Sequence, residues 1–109
     1  MGRFAGLAAA ALLLVGPTAA LSQEIGRPEA GRALAERVCA ECHAVGRDRR
    51  PSPNRNAPSF QAIAEIPGMT AVALNAALQT SHETMPNVLL KEGELADIVA
   101  YILSLQPRQ

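Results

Sequence analysis

The pentapeptide Cys39-Ala40-Glu41-Cys42-His43 contains both cysteines of this 109-residue chain and one of its two histidines. Two thiols this close together suit three chemistries: a redox-active dithiol, part of a zinc site, or the covalent attachment point of a haem. Each of these requires a different fold around the motif. The rest of the sequence has to decide between them.

The N-terminal residues have the features of a secretory signal peptide. Arg3 provides a basic start, an apolar run covers residues 4–15, and Gly16-Pro17 interrupts it. Small residues then lead to a predicted cleavage site after Ser22, with cleavage after Ala20 as the alternative. The apolar run is shorter than the roughly 20 residues that a retained membrane helix needs. We therefore predict a removable leader over residues 1–22 and an exported mature chain, residues 23–109, without a stable membrane span.

The mature chain is short and poor in large apolar side chains. Its 87 residues (109 − 22) fit one small domain, in which Phe60 and Tyr101 are the only Phe, Tyr or Trp residues. Removing Arg3 leaves 9 basic residues (10 − 1) against 10 acidic ones, a balance that excludes charge-driven binding of nucleic acid. Small domains with so thin a core usually contain disulfides, a metal or a cofactor. The composition therefore predicts that a non-protein group fills the centre.

The spacing of apolar residues predicts helices over about 28–41, 60–65, 71–80 and 92–105. Pro28 suits the first turn of the first helix, while Ser59 and Thr70 are suitable N-cap residues for the second and third. No segment shows the alternation typical of a strand, so the predicted fold class is all-α without a sheet. The loop at residues 46–58 contains four arginines, which either dock an acidic partner, neutralise a bound carboxylate or simply face solvent.

The surroundings of the cysteine motif favour haem over the other two chemistries. Redox-active dithiols lie near a strand and at a helix N-terminus, whereas this pair follows a predicted helix. A zinc site in which His82 joins the two cysteines would leave His43 without a role. Oxidation of the pair in an exported protein is a further alternative. Haem attachment uses the whole motif, since Cys39 and Cys42 form thioethers with the vinyl groups and His43 supplies an axial nitrogen to the iron.

An iron bound by His43 has a second axial position, for which Met85, Met69 and His82 are candidates. Met85 precedes Pro86, which keeps its predecessor out of helical conformation and has no N–H that needs a partner. We expect Met85 to present its thioether from this rigid loop, Met69 to pack in the core, and His82 to be the rival ligand. His/Met ligation raises the reduction potential and fills both axial positions, which suits electron transfer.

These features together resemble the class I c-type cytochromes, over nearly the whole mature chain from about residue 31 to residue 105. In that family an N-terminal helix leads into CxxCH, matched by residues 39–43, and a Met-Pro loop, matched by Met85-Pro86, supplies the distal ligand. The resemblance implies the cytochrome c fold, in which three to five short helices wrap one covalently attached haem c and the terminal helices cross. It also implies the role of an electron carrier.

The resemblance extends to residues outside the two ligand motifs. It implies that the carbonyl oxygen of Pro58 accepts a hydrogen bond from His43, and that Tyr101 packs against Gly31 where the terminal helices cross. The chain departs from the family in the loop after His43, which is longer and richer in arginine than in compact members. The aromatic residues that often hold the haem propionates are also missing. Their predicted substitutes are Arg50, Arg55 and Asn56.

We therefore predict a periplasmic electron-transfer protein with one haem c, attached through Cys39 and Cys42, and with its iron bound by His43 and Met85. It is expected to exchange electrons with redox partner proteins and not to be an enzyme. One alternative is a haem enzyme or ligand sensor with an open or labile sixth position. Another is the haem subunit of a larger dehydrogenase or oxidase. A thiol–disulfide protein without haem is the third class.

Overall fold

A computed structural model describes residues 1–2, 25–48, 50–80, 82 and 84–108. The predicted leader therefore lies outside the described residues, except for its first two. Four helices form in the described chain, namely α1 (Pro28–Val38), α2 (Phe60–Ala64), α3 (Ala71–Gln79) and α4 (Glu92–Ser104). These residues contain no strand, although His82 and Met85 form an isolated antiparallel bridge. The prediction of an all-α fold is confirmed. Within the same ranges, no helix has the length and apolar character needed to cross a membrane.

Helix α1 begins where the sequence predicts it but ends at Val38 instead of residue 41. Pro28 occupies its first turn, where the missing N–H costs nothing. At its C-terminal end, the backbone N–H groups of Cys39 and Ala40 both donate to the carbonyl oxygen of Ala35, at 2.8 and 3.0 Å. Two donors on one acceptor interrupt the regular ladder of helix hydrogen bonds. The cysteine motif therefore lies in a turn after the helix, and the predicted continuation of α1 to about residue 41 is wrong.

Hydroxyl side chains cap the two short helices, as the sequence predicts. The Ser59 hydroxyl accepts a hydrogen bond from the backbone N–H of Ala62 at 3.1 Å, and the Thr70 hydroxyl accepts one from that of Ala73 at 3.2 Å. Each bond satisfies an N–H group that has no partner within its helix, and such a cap contributes about 1 kcal/mol. The caps fix the points at which the connecting loops enter α2 and α3.

Helices α1 and α4 cross in direct backbone contact at Gly31. A Cβ atom at this position would lie 1.9 Å from the carbonyl oxygen of Asp97 and 2.8 Å from the Cβ atom of Tyr101. Just before α1, the backbone N–H of Arg27 donates to the Asp97 carboxylate at 2.7 Å. The contact between Tyr101 and Gly31 that the family resemblance implies is therefore present, and it holds the first helix of the described chain against the last.

The apolar core is built around this helix pair. The ring of Phe60 lies between two other rings, with its centroid 5.5 Å from that of His43 and 6.3 Å from that of Tyr101. The buried apolar residues are Leu34, Ala35, Val45, Phe60, Ala64, Leu74, Ile98, Val99, Tyr101, Ile102 and Leu105. The core thus connects the α1–α4 crossing with the segment that carries the cysteine motif.

Removing the Tyr101 hydroxyl is expected to weaken the fold while leaving the shape of the core unchanged. This hydroxyl donates to the carbonyl oxygen of Val45 at 2.5 Å and so joins α4 to the segment after the cysteine motif. Burial raises the pKa of the phenol, so it stays protonated and able to donate at neutral pH. Tyr101→Phe leaves the Val45 carbonyl without this donor, and we expect a loss of about 1–2 kcal/mol in the free energy of unfolding. Urea titration followed by circular dichroism measures the loss, and an unchanged midpoint would contradict it.

Candidate functional site

The cysteine motif forms a compact turn at the C-terminal end of α1. The backbone N–H groups of Cys42 and His43 both donate to the carbonyl oxygen of Cys39, at 3.2 and 2.9 Å. The turn folds the chain back on itself, and Cys39, Cys42 and His43 all line the same cavity. Two half-buried thiols and one imidazole therefore share a single space.

That cavity has a volume of about 250 Å³ and is lined by residues of α1, α2, α3 and α4 and of two loops. One loop contributes Asn54, Asn56, Ala57 and Pro58, and the other contributes residues around Met85. Most of the lining side chains are apolar, including those of Val38, Phe60, Ile63, Leu74, Ala77, Leu78, Val88 and Ile102. A flat apolar macrocycle attached at the two thiols fits this lining, because burying apolar surface is favourable.

The His43 ring is oriented by the backbone of the following loop. Its Nδ1 atom lies 2.6 Å from the carbonyl oxygen of Pro58. A carbonyl oxygen only accepts hydrogen bonds, so Nδ1 carries the hydrogen and the lone pair of the neutral ring is on Nε2. This is the arrangement in which a histidine binds a metal through one nitrogen while the other is fixed by a hydrogen bond. The ring of Phe60 packs beside it at a tilt of 55°.

The second axial position has two candidates on the cavity wall. Met85 and His82 both line the cavity, and the backbone N–H of Met85 donates to the carbonyl oxygen of His82 at 3.3 Å. Met85 is half-buried, whereas His82 is exposed. Met69, which lies within the described residues, does not line the cavity and instead packs against the hydrophobic core. The structure therefore brings two of the three predicted candidates to the site.

The predicted propionate contacts are only partly at the cavity. Asn56 lines it, but Arg50 and Arg55, both among the described residues, do not. The Arg50 guanidinium lies 3.1 Å from the carboxylate of Asp48, two residues earlier in the chain. Asn54, which the sequence analysis did not single out, lines the cavity and accepts a hydrogen bond from the backbone N–H of Asn56 at 3.0 Å. The Asn-x-Asn spacing is the sequence signal that marks this pair.

The environment of the thiols bears on the two chemistries without haem. Burial raises the pKa of the Cys39 thiol, whereas a redox-active dithiol needs a lowered pKa. Among the described residues, no three His, Cys, Asp or Glu side chains group closely enough to hold a metal ion. The zinc site considered for Cys39, Cys42 and His82 is therefore not formed.

Comparisons with known proteins agree with the features of the site. A family model described as cytochrome c matches residues 28–106, a span that contains all four helices and both ligand segments. Cytochrome c-552 of Bradyrhizobium diazoefficiens is 36% identical over 90 residues, which cover 83% of each chain. No solved structure gives a significant match.

Proposed function

The chain belongs to the cytochrome c family, and from this premise we propose that it is a periplasmic electron carrier whose haem iron is bound by His43 and Met85. Members of this family carry covalently bound haem c, and Cys39 and Cys42 fit the CxxCH attachment. The observation that carries the proposal is the place of Met85, which lines the same apolar cavity as His43 and both cysteines.

The residues of the site suit electron transfer. Bound haem supplies an iron that gains or loses one electron. His43 offers Nε2 as a donor, and the hydrogen bond from its Nδ1 to Pro58 raises the donor strength of the ring. The soft thioether of Met85 favours reduced iron and raises the reduction potential. With His43 and Met85 both holding the iron, oxygen and substrates would find no open position, so the site would suit electron transfer rather than catalysis.

Two other roles differ from this proposal in ligation or in assembly. A haem enzyme or ligand sensor needs a sixth position that is open or easily vacated. The subunit of a larger oxidoreductase needs a permanent interface. A carrier instead meets its redox partners through small, short-lived interfaces. In the proposed protein Met85 closes the sixth position, and donor and acceptor proteins dock in turn.

Protein produced in a host with c-type haem maturation tests the proposal. We expect a periplasmic product that begins at Gln23 and whose mass exceeds that of the polypeptide by one haem. Its spectrum should be low-spin and six-coordinate in both oxidation states, and the reduced form should not take up carbon monoxide. A high-spin spectrum with rapid carbon monoxide binding would instead support the sensor or enzyme, and the absence of covalent haem would leave the thiol–disulfide class.

A further inference from the structure

The segment around His43 is hydrogen-bonded to the arginine-rich loop that follows it, residues 46–58. The backbone N–H of Asn54 donates to the carbonyl oxygen of Cys42 at 3.1 Å. The carbonyl oxygen of Pro58 lies 2.6 Å from Nδ1 of His43. This loop therefore contacts both the second attachment cysteine and the histidine.

Ala44, the residue after the histidine, is held through both of its backbone polar groups. Its carbonyl oxygen accepts a hydrogen bond from the backbone N–H of Phe60 at 2.9 Å. Its N–H donates to the hydroxyl oxygen of Ser52 at 3.0 Å, and Ser52 is half-buried. The bonds from Asn54 and Phe60 join backbone to backbone, whereas the Ser52 bond depends on a side chain and can be removed by substitution.

The Ser52 bond acts on the peptide group that links His43 to Ala44. Because a peptide group is planar, holding the N–H of Ala44 fixes the rotation of the whole group about the preceding Cα–C bond, which belongs to His43. That rotation sets the direction of the imidazole relative to the following backbone. A fixed peptide plane therefore keeps Nδ1 aimed at the Pro58 carbonyl.

We propose that Ser52 is a positioning residue for the proximal histidine, and that its hydroxyl preserves the Nδ1–H···O=C bond between His43 and Pro58. The inference rests on the proposed function, in which Nε2 of His43 binds the iron. A strong hydrogen bond from Nδ1 makes the imidazole a better donor and stabilises oxidised iron. Loss of the Ser52 hydroxyl loosens that bond, weakens the donor and shifts the equilibrium toward reduced iron.

Further contacts hold the first part of this loop. The Arg47 guanidinium donates to the carbonyl oxygen of Ser104 at 2.6 Å, at the C-terminal end of α4. Arg50 binds the carboxylate of Asp48 through its side chain at 3.1 Å and through its backbone N–H at 3.2 Å. Two of the basic residues that suggested a docking surface thus make contacts within the protein. These internal contacts favour a structural role for the loop at the site.

The test compares Ser52→Ala and Ser52→Thr in the haem-loaded protein, with Ser104→Ala as the matched control. Ser104 is also half-buried, and its hydroxyl donates to the carbonyl oxygen of Tyr101 at 2.5 Å, within α4. At equilibrium with a redox mediator, the ratio of reduced to oxidised protein should be about threefold higher for Ser52→Ala than for the wild type. This shift is smaller than the tenfold or greater loss of metal affinity or activity that follows removal of a direct partner of a ligand. The Ala44 amide should exchange with deuterium about tenfold faster. Ser52→Thr and Ser104→Ala should match the wild type in both measurements.

Equal shifts in Ser52→Ala and Ser104→Ala would overturn the inference, because they would reflect a general loss of stability. An unchanged redox equilibrium in Ser52→Ala would overturn it as well. If Ser52→Ala does not accumulate with haem, the isosteric pair Ser52→Thr and Ser52→Val gives the same comparison. A wild-type protein that lacks a six-coordinate low-spin haem would overturn both this inference and the proposed function. If the wild type has such a haem but the Ser52 variants keep the wild-type redox equilibrium, the inference alone is overturned.

Discussion

Replacing Met85 with alanine is expected to open the sixth coordination position of the iron. The weak far-red absorption band of Met-to-iron ligation should disappear, and the reduced protein should bind carbon monoxide. Because the soft thioether favours reduced iron, its loss should lower the reduction potential by more than about 100 mV, where about 59 mV corresponds to a tenfold change for one electron. Absorption spectroscopy and a mediated redox titration of the haem-loaded protein measure these effects.

Two single substitutions serve as controls for this result. Met69→Ala removes a methionine that packs against the core and does not line the cavity, so it should cost stability but leave the spectrum unchanged. His82→Ala removes the rival ligand from the cavity wall, and it too should leave the spectrum and the potential unchanged. If Met85→Ala leaves the wild-type six-coordinate spectrum unchanged and His82→Ala alters it, the iron has His/His ligation and the proposal for Met85 is wrong.

Gly31→Ala is expected to have the largest effect on stability. The added Cβ atom would lie 1.9 Å from the Asp97 carbonyl oxygen, so α1 and α4 must move apart along their whole contact. Forcing extra atoms into a packed interface costs about 1–3 kcal/mol, and a clash with rigid backbone belongs at the upper end or beyond. Alanine favours a helix over glycine by only about 1 kcal/mol, which does not offset this cost. We therefore expect a net loss of about 2–3 kcal/mol in the free energy of unfolding.

Gly46→Ala is the matched control for this substitution. A Cβ atom at Gly46 would meet its nearest neighbour, the Asp48 carboxylate, at 3.7 Å, which is ordinary contact. This variant should unfold within about 0.5 kcal/mol of the wild type, as expected for a surface change. Urea titration of the haem-loaded proteins, followed by far-ultraviolet circular dichroism, compares the two. Equal stability of both variants would show that the crossing tolerates a side chain at Gly31.

The helices were predictable because their signals are local. Pro28, Ser59 and Thr70 begin helices where their backbone preferences place them. The end of α1 was not predictable, because Ala40 and Glu41 are good helix formers and no breaking residue follows Val38. Hydrogen bonds with residues 52–60 fix the turn after the helix, and no pattern within residues 39–43 predicts these bonds.

The site shows the same division between local and long-range information. The CxxCH motif occupies five consecutive residues, and the predicted helix before it and the Met-Pro segment after it let the sequence alone favour haem. The prediction of propionate contacts was less successful. Arg50 and Arg55 were predicted from their charge, but Arg50 pairs with nearby Asp48 and neither residue lines the cavity. Where a long flexible side chain ends up depends on its neighbours in space, and the loop of residues 46–58 offers several.

The crossing of α1 and α4 sets an order for the folding of the chain. Gly31 and Asp97 lie 66 positions apart (97 − 31), so their contact closes a long loop and carries a high entropic cost. The hydrogen bonds within residues 35–43 join positions close in sequence, and local contacts of this kind form early. In the exported protein that we propose, α4 emerges last. The attachment segment can therefore take shape while the final helix, which contributes Ile102 to the cavity lining, is still absent.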